Sequence, residues 1–284
     1  MRTSTPSAPP RPKPASCADA TAAERAKLGS AAFELHGATV VYGGRAVLDS
    51  ADLVVDPGEA AALVGPSGAG KTTLLRLLNG SLRPSSGSVC VNYRDLSQLS
   101  PLELRAVRSR IGFVHQDLAL VPNLRVSQNV LAGRLGQMGF VRSARAMLLP
   151  SRDDLERARA ILERVGIGEK LFQRTDSLSG GQRQRVAIAR ALFQDPWAIL
   201  ADEPVSSVDP ARARDTVALL RDVCAERGLT LLVSLHDLDL AREFFPRLVG
   251  LREGRIVLDR PTSEIDERAY RALYRLDGRR LEDG

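Results

Sequence analysis

The chain has 284 residues, enough to bury a substantial core in one large domain or two modest ones. Its apolar share of 44% is that of ordinary globular proteins, which argues against wholesale disorder, and no apolar run reaches the length of a bilayer-spanning helix. The formal charge of +6 admits nucleic acid or an anionic lipid as a partner, but nearly all the basic residues are arginines interleaved with acids, with lysine only at Lys13, Lys27, Lys71 and Lys170, so they read as solvated helix faces.

Residues 1–31 are rich in Pro, Ala, Ser and Thr and lack the apolar core of a signal peptide, so a disordered extension is expected there. Without export or a membrane span, the chain is expected in the cytosol, meeting membranes through a partner. Short strands are expected at residues 33–35 and 38–42, followed by a turn at Gly43 and Gly44 and a further strand at 47–55. Residues 60–64 form an apolar run of the kind found in buried strands, and a helix is expected at 74–78. Cys90, in an apolar alternation, reads as a packed strand residue. With Cys17 and Cys224 it shows no metal-ligand spacing, and unpaired thiols are expected.

Helices are then expected at residues 102–110 and 153–165, inside a mainly helical stretch spanning 117–175. Beyond it come a helix at 182–193, a buried strand at 198–201, a helix at 211–227, a strand at 230–235 and a helix at 238–244. That alternation predicts an α/β fold with a parallel sheet covered by helices. No internal repeat is present, so one nucleotide-binding unit is expected.

Between the strand at 60–64 and the helix after it lie Gly65, Pro66, Ser67, Gly68, Ala69, Gly70, Lys71, Thr72 and Thr73, which fit G-x-x-x-x-G-K-[ST] without a mismatch. Glycines let successive backbone N–H groups turn toward phosphate oxygens, and the helix presents its positive end to them. Lys71 is placed to reach the terminal phosphates and Thr72 to ligate Mg²⁺. The strand at 198–201 runs into Asp202 and Glu203, acids at the edge of a parallel sheet where ligands bind. Beside a phosphate loop they are expected to hold Mg²⁺ (Asp202, mostly through water) and to act as general base on the attacking water (Glu203). Trp197, just before that strand, reads as a packing residue.

Leu178, Ser179, Gly180, Gly181 and Gln182 lead into the next helix and form a second anion-binding surface. Two such surfaces for one nucleotide make sense if they meet across a two-fold interface. Here the sequence resembles the ATP-binding cassette family, of which LSGGQ is the most specific motif, over roughly residues 33–274. The resemblance implies a P-loop NTPase domain over 32–274 with a RecA-like core, an antiparallel β subdomain and a helical subdomain, followed by a tail at 275–284. It implies ATP and Mg²⁺ as cofactors. Gln116 matches the glutamine that senses Mg²⁺, Ser206, Ser207, Val208 and Asp209 the loop that crosses the dimer interface, His236 the switch histidine at the γ-phosphate, and Tyr42 the aromatic residue stacked on adenine. His115 has no assigned chemistry and reads as a packing neighbour of Gln116.

The runs at residues 74–80, 130–136, 201–205 and 233–236, with Asp239 to Glu243, look like the ATP-binding subunits of bacterial phosphonate importers. Departures occur at His115, at residues 118–120 and at Ser207 and Val208, and the N-terminal extension is atypical. They bear on the solute, with phosphate, phosphite or an amino acid as alternatives, and leave the ATPase motifs intact. The resemblance implies a homodimer of this subunit on the cytoplasmic face of the inner membrane. Its partners would be two transmembrane permease subunits and an extracytoplasmic solute-binding protein, with no nucleic acid. Ribosome-acting members of the family generally hold two cassettes in one chain. DNA-repair members insert a long coiled coil between the phosphate loop and LSGGQ, and this chain shows no sustained heptads there. Many exporter chains carry fused membrane spans, which are absent here.

Overall fold

The strands that carry the sheet are apolar at nearly every position, because both of their faces are covered. The computed structural model describes residues 32–205, 209–266 and 273–274. Strands β1 (Phe33–Tyr42) and β2 (Arg45–Val55) form a hairpin, followed by β3 (Ala60–Val64), helix α1 (Lys71–Leu78), β4 (Ser86–Val91) and the short β5 (Arg94–Asp95). Then come α2 (Pro101–Arg108), β6 (Ile111–Val114), α3 (Val126–Leu131), α4 (Phe140–Leu148), α5 (Arg152–Arg164) and α6 (Gly180–Phe193). The chain continues through β7 (Ala198–Asp202), α7 (Pro210–Glu226), β8 (Thr230–Leu235), α8 (Leu238–Phe244), β9 (Arg247–Arg252) and β10 (Arg255–Pro261).

Two sheets result. One is antiparallel in the order β2-β1-β4-β5, and the other runs β10-β9-β3-β8-β7-β6, parallel except for β10. Side chains alternate across a strand, so the larger sheet separates two cores. Ala62, Val64, Ile199, Ala201, Leu231 and Val233 face a core shared with α3, α5, α6, α7 and α8. Leu63, Leu200, Leu232, Val249 and Leu251 face a core shared with the antiparallel sheet and with Leu74, Leu75, Leu77 and Leu78 of α1. Helix α1 is therefore held between the two sheets. This is the expected α/β architecture, with the antiparallel sheet and the helical segment as separate additions to the parallel core.

Several details differ from the sequence reading. The two short strands expected at 33–35 and 38–42 are one strand, β1, whose pairing with β2 shifts register between Leu35 and Ala38; Gly37 there has φ +54 and accommodates the bulge. Helix α6 begins two residues before its expected start because Ser179 caps it. Strands β9 and β10 lie beyond residue 244, where no element is expected from sequence. Cys224 is a free, buried thiol, but Cys90 is disulfide-bonded, which corrects the expectation of an unpaired thiol; Cys17 lies outside the described residues. Trp197 packs against Phe33 with ring centroids 5.0 Å apart, as a packing residue should.

One buried cation ties the N-terminal edge of the large sheet to the hairpin. Arg247, at the start of β9, donates to both Asp259 oxygens (2.6 and 2.7 Å), to Glu59 Oε1 (2.9 Å) and to the carbonyl of Val54 (2.9 Å). Removing it leaves two carboxylates and a carbonyl without their donor. Arg247→Met is expected to lower the unfolding free energy by about 2–4 kcal/mol, measured by urea denaturation; a loss well below that would show that water replaces the guanidinium freely.

Candidate functional site

The parallel registers bring four strand ends into one row. Val64 lies opposite Leu235, Asp202 opposite Ser234, and Val114 opposite Ala201. Gly65, Glu203, His236 and His115 are therefore the first residues past β3, β7, β8 and β6, on the edge where open α/β sheets bind ligands.

The loop after β3 is built around glycine. Gly65 has φ +147, and a Cβ on it would lie 2.1 Å from the carbonyl oxygen of Leu251. Gly70, at φ +104, caps α1 without any side-chain hydrogen bond, and the first turn of α1 holds no acid. The N–H groups of that turn are thus left to an incoming acceptor, with the positive end of the helix behind them. Lys71 is buried, its ammonium donating to the carbonyls of Gly65 (2.8 Å) and Pro66 (3.2 Å) and lying 3.9 Å from Glu203 Oε1. Burial pulls the Lys71 ammonium below its usual pKa, and the carboxylates of Glu203 and Asp202 act against that pull. Ser67 and Gly68 are exposed at the loop's crest, Ala69 is buried beneath it, and Thr73 follows Thr72 in the first turn of α1.

Asp202 joins this loop to the next two strands. Its Oδ1 accepts from the hydroxyl of Thr72 at 3.0 Å and from that of Ser234 at 2.9 Å. The Ser234 hydroxyl in turn accepts from the N–H of Glu203 at 2.8 Å. Glu203 has φ +46, a strained value for a residue with a side chain. Held in this way, its carboxylate pairs with His236 Nε2 and approaches Lys71. A carboxylate, a histidine and a lysine are thus within reach of one another beside an anion-ready helix end. Thr72 and Asp202 also set a hydroxyl and a carboxylate side by side, hard oxygen donors of the kind that Mg²⁺ takes directly or through water. The donor set fits the metal.

Other expected residues stand further out. Tyr42 is exposed at the end of β1, on the hairpin whose Val47 and Leu48 abut Gly70. Gln116 is exposed in the loop after β6, and the His115 ring beside it lies tilted against that of Phe113 with centroids 4.5 Å apart. Burial and the charge of Arg190 push the His115 imidazole pKa down. His115, Asn79, Arg108, Arg190 and Gln194 line an open cleft next to that loop. Asp209 caps α7 by accepting from the N–H of Arg212 at 3.1 Å; Ser206, Ser207 and Val208 lie outside the described residues.

Ser179 and Gln182 form a reciprocal capping box at the start of α6, the Ser179 hydroxyl accepting from Gln182 N–H (3.3 Å) and Gln182 Oε1 from Ser179 N–H (3.0 Å). Around Gly180 and Gly181 a Cβ would meet nothing within 4 Å. Among the described residues, no hydrogen bond or ion pair joins residues 178–182 to the phosphate loop, Asp202, Glu203 or His236. The structure gathers one set of expected residues and leaves the other facing open space.

Three contacts were not foreseen from sequence. Ser234 is one, although a hydroxyl inside the apolar run of β8 is a visible signal. Arg190 is another, an arginine within the buried stretch of α6, which donates to the carbonyls of Leu118 (2.8 Å) and Ala119 (2.5 Å) in the loop after Gln116. Those two residues have φ +61 and +45, so the guanidinium fastens a left-handed turn. The third is Tyr274, whose hydroxyl accepts from Gly65 N–H at 3.2 Å; nothing near it in sequence marks it.

Residues 48–206 match the ABC transporter family. The phosphonates import ATP-binding protein PhnC of Alcaligenes faecalis is 46% identical over 243 residues, covering 85% of this chain and 87% of that one. A protein of Pseudomonas aeruginosa with the same description is 49% identical over 245 residues, covering 85% of this chain and 90% of its own. A third, from Anaeromyxobacter dehalogenans, is 49% identical over 86% of this chain, which spans only 48% of that longer protein. Among solved structures, a dimeric ATP-binding cassette in a post-hydrolysis state with ADP and Pi is 30% identical with a TM-score of 0.71, covering 81% of this chain and 98% of that one. The cbiO1 protein of Clostridium perfringens, part of an ABC transporter complex, is 29% identical with a TM-score of 0.73, covering 85% and 93%.

Ser234 is fully buried and has both of its hydrogen bonds within the site. Ser234→Ala leaves the Glu203 amide and one Asp202 oxygen without that partner. It is expected to cost about 1–3 kcal/mol of unfolding stability, read from chemical denaturation, and unchanged stability would mean that the left-handed turn at Glu203 holds itself.

Proposed function

The chain belongs to the ABC transporter family, and on that premise we propose that it binds and hydrolyses ATP to drive an importer whose solute is a phosphonate. The observation that carries the ATPase reading is the array of Thr72, Asp202, Ser234, Glu203 and His236 beside the anion-ready start of α1. In this reading the loop from Gly65 to Thr73 cradles the phosphates, and the Lys71 ammonium leaves its carbonyls for the terminal phosphate. Thr72 and Asp202, with Gln116 from the neighbouring loop, hold Mg²⁺. The ion supplies neutralising charge to the phosphate oxygens. Glu203 takes the proton of the attacking water, and His236 orients that carboxylate and contacts the γ-phosphate. Tyr42 stacks on the base.

The remaining motif residues complete the site of a second copy. Ser179, Gly180, Gly181 and Gln182 start a helix whose two glycines face open space, and they would close over the partner's nucleotide, with Asp209 contributing from the crossing loop. ATP binding then favours the closed dimer and hydrolysis reopens it, a conformational coupling rather than chemistry on the solute. In this reading a helix of a membrane permease docks at the cleft beside His115 and Gln116, the chain works at the inner face of the membrane, and a solute-binding protein works outside. Among the described residues no helix is long and apolar enough to cross a membrane itself. The solute assignment rests on the names of the relatives at 44–49% identity.

Glu203→Gln keeps the shape of the carboxylate and removes its basicity. It is expected to retain ATP binding while turnover falls at least about a hundredfold, followed by phosphate release and by equilibrium nucleotide binding; near wild-type turnover would remove Glu203 as the base. The solute is tested separately. Deleting the gene in a host with no second importer should abolish growth on a phosphonate as sole phosphorus source and leave growth on phosphate intact, and unimpaired growth on the phosphonate would reject that solute.

A further inference from the structure

Gly65 and His236 are the next residues after the paired ends of β3 and β8, Val64 and Leu235. One side chain bridges them. Gly65 N–H donates to the Tyr274 hydroxyl at 3.2 Å, and that hydroxyl donates to the carbonyl of His236 at 3.4 Å. The tyrosine is seated by its neighbour: Leu273 is 2% exposed and packs so close to Gly250 of β9 that a Cβ there would come within 3.1 Å of it. The Tyr274 ring itself packs against the helical core.

Both residues that Tyr274 holds lead to the reacting groups. Gly65 cannot shift into another residue's conformation, since its φ of +147 and the Leu251 carbonyl 2.1 Å from any Cβ exclude a side chain. Its own carbonyl holds the Lys71 ammonium at 2.8 Å. The His236 imidazole pairs with Glu203. Gly65 has no side chain with which to hold its own strand end, and a single hydroxyl serves as acceptor for the backbone of one end and donor to the backbone of the other. Burial raises the pKa of the phenol and the charge of Asp237 raises it further, against the lowering effect of the Gly65 hydrogen bond, so the hydroxyl keeps the proton that the second contact needs.

We propose that Tyr274 is a positioning residue of the ATPase site, fixing the first residue of the phosphate loop against the backbone of the switch histidine so that Lys71 and Glu203 are held in register. The inference rests on the ATPase reading above. Its role is orientation rather than nucleotide contact, so it acts on turnover more than on affinity.

Tyr274→Phe keeps the ring and removes only the hydroxyl. The variant is expected to lower kcat about fivefold or more while the dissociation constant for MgATP stays within about twofold of wild type. Its thermal unfolding midpoint should fall by no more than a few degrees, because the buried ring and the Leu273 anchor remain and only the hydroxyl's contacts to Gly65 and His236 are lost. An active wild type with an equally active Tyr274→Phe would overturn this inference alone. So would a variant whose ATP affinity and thermal midpoint fall together with its kcat, since that is the mark of a packing role. A wild-type chain that hydrolyses no ATP would overturn the ATPase reading and this inference with it.

Discussion

One oxygen of Asp202 accepts two hydroxyls, Thr72 from the helix after the phosphate loop and Ser234 from the neighbouring strand. These three residues come from α1, β7 and β8, so a single carboxylate adds a side-chain tie between two strands already paired in the sheet and the helix that packs on it. The tie extends one step further, because Ser234 also accepts the N–H of Glu203 and thereby helps to hold that residue at φ +46. A left-handed glutamate bends the chain as soon as the strand ends. Without that bend, strand alternation would carry residue 203 toward the face opposite Asp202. The strain is thus local to the one residue whose carboxylate must leave the sheet, in keeping with the general placement of backbone strain at reactive sites.

The remainder of the large sheet makes that polar edge tolerable. Strands β3, β7 and β8 bury every or nearly every residue, and polar side chains enter them chiefly where they end. Asp202 and Ser234 are opposite one another in the register, so each buried polar group meets the other and neither is left to the apolar core. At the other edge of the sheet the same logic operates with Arg247, whose guanidinium is surrounded by Asp259, Glu59 and a carbonyl. One cluster is a structural fastening and the other sits beside an open loop. What separates them is access: Arg247 is held by close bonds to two carboxylates and a carbonyl, whereas the Lys71 ammonium bonds only to two carbonyls of the glycine loop, with Glu203 at 3.9 Å, and the helix end beside it carries no acid.

How much of this was legible depended on how local each feature is. Gly65 to Thr73, Asp202 with Glu203, and Ser179 to Gln182 are contiguous stretches that stand out in the sequence, and the first two lie side by side at one sheet edge. The α/β alternation was equally plain, since each apolar run lies between turn signals. The bulge at Gly37 merged two expected strands into one, because a glycine that reads as a break can also be absorbed within a strand. Ser234 was not legible as part of the site, because its importance depends on the register that sets it opposite Asp202. Arg190 depends on a left-handed turn 71 and 72 residues away, and Tyr274 on a loop 209 residues away. Contacts of that span follow from how the layers stack, and no local pattern encodes them.

The start of α6 has the complementary property. Its capping box satisfies Ser179 and Gln182 against each other, so the helix is stable without any ligand. Gly180 and Gly181 add no side chain that could shield the N–H groups of the first turn, and no acidic residue there offsets the helix dipole. A chain that needed this end only as a cap would gain from an acid or a bulkier residue at either position. Its openness has a use when an anion arrives from outside the chain, and the loop at Gly65 to Thr73 has the opposite need, a nucleotide covered on only one side. The two surfaces are on different elements and share no hydrogen bond or ion pair among the described residues, which is the observation behind the proposal that a second copy completes each of them. On that proposal Lys71, Asp202 and Glu203 form one half-site and Ser179 to Gln182 the other.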